Sequence, residues 1–365
     1  MINGIILENF KCFKNLTLNL SCLNVFSGIN GMGKSTIIQS LLLLKQSHKQ
    51  GLLPQYISLN GDYVNIGTGR DLLYEYAEEP ETISIGINDG EMKYKFSCVY
   101  SPFKDVLEVL NIPNELYKSI NLFSNDFEYL NAERVSPQAV YTKSRYYTDS
   151  LNQLGNNGEY TIHYLFEHQE DSIPNEMLLN NSDNINKLKA CTQYWMDQIT
   201  PNIRFDIQDI DNTDLVRMGY YFTENQKSNI FRPTNVGFGI SYVLPVVLAL
   251  IKAKPGSIVV IENPEAHLHP QGQRKIGELI SLCAAGGVQV FIETHSDHVL
   301  NGIRISVKKQ KITNDIVKLF FFNKIIQDSH FLHRVEIPSI DMSGKLSYWP
   351  DGFFDEWDKA LDEIL

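Results

Sequence analysis

Cysteine is scarce in this sequence: its 365 residues include five, Cys12, Cys22, Cys98, Cys191 and Cys283, with no CxxC spacing among them. That pattern fits neither a zinc site nor a disulfide framework, and it points to a reducing, cytoplasmic setting. Long apolar runs are lacking as well. The longest, near "YVLPVVLALI", is too short to span a bilayer, and "MINGIILENFKCF" places Glu8 and Lys11 where a signal peptide needs an unbroken apolar core. No membrane role is expected. Positive charge is also in short supply, with 32 Lys and Arg against 43 Asp and Glu and a net charge of -11. Binding nucleic acid over the whole surface is thereby excluded, because phosphate contacts require local Lys and Arg. Lys308, Lys309 and Lys311 form the one tight basic cluster, readable as a solvated turn or as a restricted anion-binding patch. No internal repeat stands out, and no helical pattern lasts long enough for a coiled-coil arm.

What is present is an α/β alternation at both ends of the chain. Residues 2–8 and "LTLNL" read as strands, and "LNVFSG" as a third that runs into Gly28 and the helix "STIIQSLLLLKQ". From 51 to 230 the text turns rich in Tyr, Asn and Asp. Strands are expected there at "ETISIGI" and "KYKFSCVY", and helices at "FKDVLEVL" and "INKLKACTQYWMDQI". Beyond 230 the pattern runs helix "GISYVLPVVLALIKA", strand "SIVVIE", helix "QGQRKIGELISLCAA", strand "VQVFIET", helix "SDHVLNGIRISVKK", strand "DIVKLFFFN". Such spacing predicts a mixed, mainly parallel sheet covered on both faces, in an α/β fold interrupted by an inserted α+β region. The expected division is 1–50 and 231–365 for the core and 51–230 for the insert.

"GINGMGKST", Gly28 to Thr36, satisfies G-x-x-x-x-G-K-[ST] between a strand and a helix. Its glycines let successive N–H groups turn toward phosphate oxygens, and the helix that follows adds its positive end. Lys34 is expected on the β- and γ-phosphates and Ser35 on magnesium. "NVGFGIS", Asn235 to Ser241, is a glycine turn opening an apolar helix, whose free N–H groups attract anions; a plain tight turn is its ordinary alternative. "SIVVIENPEAHLHP" delivers Glu262, Asn263 and Glu265 at a strand end, and "VFIETHSDH" delivers Glu293 and His295 at another.

In that order, these motifs resemble the ABC-type ATPase heads of the RecF, SMC and OLD group. The opening "IILENFKCFKNLTLNL" through "GKST" looks like their N-terminal signature. "ENPEAHLHP" with "ETHS" looks like the OLD-like branch, and "GKLSYWPDGFFDEWDKAL" is similar to the tail of a prokaryotic subset. The resemblance implies ATP and Mg2+ as ligands. Gly28, Asn30, Gly31, Gly33, Lys34, Ser35 and Thr36 would hold nucleotide in one copy, and Gly237 and Gly239 would reach the γ-phosphate from a second. It further implies Ser35 and Glu262 on magnesium and His295 as the switch histidine. The family's signature serine falls on Gly237, which loses a hydroxyl donor.

Asn263 stands where many of these ATPases carry the glutamate that activates water, and an amide cannot accept a proton at neutral pH. Three readings stay open. Glu265 takes the role; or hydrolysis is slow and an ATP-locked dimer is the working state; or Glu293 or a partner supplies the base. His267 and His269, at i and i+2, do not share a helix face and are read as packing groups rather than metal ligands. Arg134, in "YLNAERVSP", is read as reaching phosphate or a partner head, or as an ordinary ion pair. The tail's Trp349, Phe353, Phe354 and Trp357 are expected to plug an apolar groove on their own domain, with a docking surface as the alternative. The resemblance implies an ATP-dependent homodimer or higher oligomer serving a separate nuclease or effector in antiphage defence or DNA metabolism, with DNA as a further candidate partner and no Toprim nuclease in the chain. A nucleotide-gated scaffold with little hydrolysis is the alternative; a P-loop kinase fits the "GFG" and "ETHS" motifs poorly.

Overall fold

Ile5 and Leu7 alternate with Ile6 and Glu8, and this period of two places the first pair in a core and the second pair on the other face of strand β1 (Gly4–Phe10). In the computed structural model, which describes residues 1–78, 82–179, 185–223, 228–327 and 330–364, the chain divides into two compact units. One consists of Met1–Ser124, Lys318–Ser339 and Tyr348–Leu365, the other of Asn125–Val317 and Ile340–Ser347.

In the first unit, β1 lies between β2 (Phe13–Asn19) and β5 (Thr82–Asn88), antiparallel to both, and β6 (Lys93–Val99) completes the sheet in the order β2-β1-β5-β6. Strand β3 (Leu23–Gly28) is buried over its first five residues, the polar Asn24 and Ser27 included. It neighbours β14 (Val317–Gln327), which pairs antiparallel with β15 (His330–Glu336). Helix α1 (Lys34–Lys49) follows β3 and is buried along most of its length. A short helix, α2 (Gly69–Leu72), starts at a Thr68 capping box closed by Asp71.

The helix expected at "FKDVLEVL" is a strand instead. β7 (Val106–Glu108) pairs antiparallel with β4 (Tyr56–Ser58), and the next two amides go to Gln55 and Ser97 carbonyls at 2.8 Å each. A run this short cannot offset the cost of nucleation with its own i→i+4 bonds, so partners far away in sequence decide its state. The tail matches its expectation in part. Phe353 is 1% exposed with its ring 5.1 Å from Phe321 and 4.8 Å from Phe354, whereas Trp349 is half exposed at the rim, 5.6 Å from Phe353. The side chain of Trp357, on α8 (Glu356–Ile364), lies outside the described residues.

In the second unit, β12 (Ile258–Glu262) runs parallel to β8 (Phe127–Leu130) on one side and to β13 (Gln289–Glu293) on the other. An antiparallel sheet in the order β10-β11-β9 accompanies it, built from Ile203–Asp209, Leu215–Phe222 and Tyr141–Thr142. The helices are α3 (Thr161–Glu167), α4 (Leu188–Ile199), α5 (Phe238–Lys252), α6 (Pro270–Ala285) and α7 (Asp297–Lys308). Residues 51–230 are thus shared between the units, with 51–124 in the first and 125–230 in the second. β8, from the middle of that stretch, lies beside the acidic strand. Among the described residues, no helix is long and apolar enough to cross a membrane.

Candidate nucleotide site

The phosphate loop joins β3 to α1. Gly28 has φ +139, and a Cβ there would stand 2.2 Å from the Phe322 carbonyl oxygen, so only glycine lets β3 turn so close to β14. Gly31 and Gly33 also have positive φ, +76 and +99, and Gly33 is the N-cap of α1, which has no side-chain cap. Asn30 and Gly31 are exposed at the loop crest, Ser35 is half-buried and Thr36 is buried. The Lys34 side chain is 3% exposed, and its ammonium donates to the carbonyls of Gly28 and Ile29 at 2.9 and 3.0 Å. The loop therefore presents a cation and an uncapped helix start with no acid in the first turn, the arrangement that favours phosphate.

The acidic strand belongs to the second unit. Glu262 and Glu293 sit side by side at the ends of β12 and β13, and the Asn263 amide donates to the Glu293 carbonyl at 2.8 Å. The Tyr129 hydroxyl donates to Glu262 Oε1 at 3.0 Å. Burial pushes the Glu262 carboxyl up, with Tyr129, the Ala132 amide and Arg134 acting in the opposite direction. Glu265 reaches the other loop: its Oε1 accepts the His295 N–H at 2.8 Å, and its Oε2 is buried without a hydrogen-bond partner among the described residues. Burial pushes the Glu265 carboxyl up as well. His295 is exposed, between β13 and the Ser296 cap of α7.

Asn263 has φ +45. A left-handed backbone is costly for most side chains and least so for glycine and asparagine, which supplies a conformational reason for the amide beside the chemical question it raises.

Among the described residues Arg134 forms no ordinary ion pair; its partners are backbone carbonyls. It is 3% exposed, and its guanidinium donates to the backbone carbonyls of Asn263, at 3.1 Å, and Glu262. Burial lowers it to about 10, against the opposing pull of Glu265 and Glu262. It holds the turn that carries both carboxylates. Arg134→Ala is expected to lower the unfolding free energy by about 2–4 kcal/mol, since each charge-assisted bond contributes ~1.5–3 and part is offset by relieved desolvation. A urea titration of the full chain checks this, and a loss below about 0.5 kcal/mol would contradict the role.

The glycine turn opens α5. Gly237 is the N-cap, exposed, with no side-chain cap, no acid in the first turn and nothing within 4 Å of a built Cβ. Gly239 is buried, and a Cβ there would stand 2.3 Å from the His267 carbonyl oxygen. The His267 ring packs 4.9 Å from Tyr242 and 5.9 Å from Phe238, while His269 caps α6 through the Gln271 amide at 3.4 Å. Both histidines thus have packing or capping duties. Among the described residues, no group of three or more His, Cys, Asp or Glu could hold a metal ion. Magnesium keeps most of its ligands as water and phosphate oxygen, so it needs no such group.

A phosphate loop between strand and helix, with an acidic parallel strand elsewhere in the chain, defines a P-loop ATPase of the ABC type. Known relatives specify the family. The family model described as "AAA ATPase domain" matches residues 1–199, more than half of the chain, and the chain belongs to this family. A second model, "AAA domain, putative AbiEii toxin, Type IV TA system", matches residues 113–301, and "Protein of unknown function (DUF3696)" matches 312–364, which includes the aromatic tail. The DNA replication and repair protein RecF of Halothermothrix orenii is 27% identical over 216 residues, covering 53% of this chain and 56% of the relative. The chain therefore spans little more than half the length of that relative.

Among solved structures, an Smc head bound to the C-winged helix domain of ScpA superposes with a TM-score of 0.52 at 12% identity, over 93% of this chain and 98% of that one. An Smc head with an extended coiled coil, bound to the C-terminal domain of ScpA and derived from Pyrococcus furiosus, gives 0.50 at 11% identity, over 100% and 99%. At such identities the likeness is one of fold, an ATPase head with a mixed α/β architecture. The OLD-like details of the resemblance have no counterpart in these matches.

Proposed function

We propose that the chain binds ATP at its phosphate loop with magnesium, hydrolyses it, and pairs with a second copy whose glycine turn completes the site. Gly28, Asn30, Gly31, Gly33, Lys34, Ser35 and Thr36 bind the phosphates in one copy, and Gly237 and Gly239 of the other donate their amides to the γ-phosphate. Ser35 and Glu262 are the magnesium ligands, and magnesium supplies charge neutralisation at the phosphates. Glu265 orients and deprotonates the attacking water, and His295 contacts the γ-phosphate. The observation that carries this reading is the start of α5: an exposed, uncapped glycine with open space around it, free to meet a ligand held by another molecule.

The partner served by this ATPase is a separately encoded nuclease or effector, in DNA metabolism or antiphage defence. The RecF likeness and the toxin-system wording of one family model support that direction. Light scattering of the full chain with and without ATP and magnesium tests the pairing, with Lys34→Ala as the comparison. An ATP-dependent doubling of molar mass that Lys34→Ala abolishes is expected; a mass indifferent to ATP in the parent chain contradicts it. Asn263 favours a second reading, a nucleotide-gated scaffold with little hydrolysis. Phosphate release separates the two, because the scaffold pairs on ATP without releasing phosphate.

A further inference from the structure

Two glycines set up a cleft in the second unit. A Cβ on Gly277 of α6 would stand 2.2 Å from the Val299 carbonyl oxygen, and one on Gly302 of α7 2.2 Å from that of Arg274. The two helices therefore touch backbone to backbone, which brings the side chains flanking the contact to a common mouth. The 341–345 turn closes it from the third side. Asp341 Oδ1 accepts from the Ser343 amide, the Ser343 hydroxyl and the Lys345 amide at 2.8, 2.7 and 2.9 Å. Arg304 ties this turn to α7, its Nε donating to the Gly344 carbonyl at 2.8 Å and another guanidinium nitrogen to Asn301 Oδ1 at 3.0 Å.

The cleft has a volume of about 630 Å³, and its polar lining includes Arg274, His298, Asn301, Arg304, Lys308 and Lys345. Among the described residues, no carboxylate lines it, and none pairs with Arg274, Lys308 or Lys345. Two acids flank it. Asp297 is 3.6 Å from His298, and Asp341 is engaged by its own turn while favouring the charges of Arg304 and Lys345. In a chain of net charge -11, four permanent cations around one concave site form a local positive field that the overall balance conceals.

The volume falls in the range of small-ligand pockets rather than of a duplex-sized groove. Its apolar lining is Pro270 and Ile305, with no aromatic ring among the described residues on which a base could stack. We infer that this cleft binds a small molecule carrying at least two phosphate groups, at a site separate from the phosphate loop. Arginine and lysine suit such a ligand in complementary ways, one as a planar fork and the other as a mobile point charge.

Pyrophosphate is the probe. In the wild-type full chain, amine acylation read by mass spectrometry is expected to show Lys308 and Lys345 protected by millimolar pyrophosphate, while exposed Lys309, outside the lining, labels as before. In a Lys34→Ala background, which removes the loop lysine, calorimetry should still detect pyrophosphate. Adding Lys308→Gln and Lys345→Gln should weaken it about tenfold or more, as loss of charge-assisted contacts predicts. Both lysines are exposed, so the fold is expected to survive. Unchanged labelling of Lys308 and Lys345, or equal affinity in the lysine variants, overturns the inference. Protection by a duplex oligonucleotide but not by pyrophosphate overturns it too, and makes the cleft a nucleic-acid contact.

Discussion

Glu265→Gln is expected to cut ATP turnover by about 10²–10⁴-fold while leaving ATP binding within a few-fold of the parent. As the proposed base, Glu265 has one oxygen anchored and one spare: Oε1 accepts the His295 amide at 2.8 Å, and Oε2 is buried without a partner among the described residues. Glutamine keeps the anchoring acceptor and loses only the basic oxygen, so the variant isolates proton acceptance from folding. The pH dependence carries a second readout. Burial raises Glu265 above its ordinary 4.5, and only the ionised form accepts a proton, so the acidic limb of turnover should lie above that value, with activity rising as pH rises.

Stability runs the other way. A carboxyl raised in the folded state holds an extra proton there between the ordinary and the raised value, so unfolding free energy falls as pH rises through that window. Glu265→Gln should therefore melt no lower than the parent at neutral pH. Steady-state phosphate release and thermal melts across a pH series check the two effects. Retained turnover in Glu265→Gln would move the base to Glu293 or to a partner.

Gly237→Glu and Gly239→Ala should separate two glycines that look equivalent in "GFG". Gly239→Ala forces a Cβ to within 2.3 Å of the His267 carbonyl oxygen, and His267 cannot retreat easily, with its φ of +61 and its ring against Tyr242. Overpacking of this kind costs about 1–3 kcal/mol, or a fall of several degrees in melting temperature. Gly237→Glu meets open space at φ -58, and a carboxylate at a helix start is favourable, so its melting temperature should stay close to that of the parent. If the turn meets a γ-phosphate, the same carboxylate repels it, and ATP-dependent pairing should weaken about tenfold or more. Thermal melts with light scattering read both. Normal pairing by a folded Gly237→Glu chain would remove the turn from the nucleotide site.

Much of the fold was legible because its signals are local. Strand β3, the loop glycines and α1 follow from a short stretch centred on Val25 and Phe26, residues that tolerate positive φ, and a helix-forming stretch, all within 28 residues of chain from Leu23 to Gln50. Strands β12 and β13 stood out for the same reason. "FKDVLEVL" misled because its apolar spacing suits a helix, whereas its amides are taken by Gln55 and Ser97, which no local rule connects to it. Tyr129 went unassigned, and the contacts Arg134 makes went unread, for a related reason: they act on Glu262 and Asn263 across more than a hundred residues, and only the parallel pairing of β8 with β12 brings them there. A signal was available in part, since a lone Arg next to a buried strand commonly needs carbonyl or carboxylate partners.

By itself, the amino-acid order determined the phosphate loop, the α/β alternation and the order of the acidic and histidine strands, because these depend on side-chain period and backbone freedom over a few residues. Tertiary structure alone decided which carboxylate oxygen is left unpartnered, which glycine is packed and which is open, and that four scattered cations line one cleft. Those outcomes depend on distances between residues remote in the chain, and close packing, rather than local preference, sets such distances.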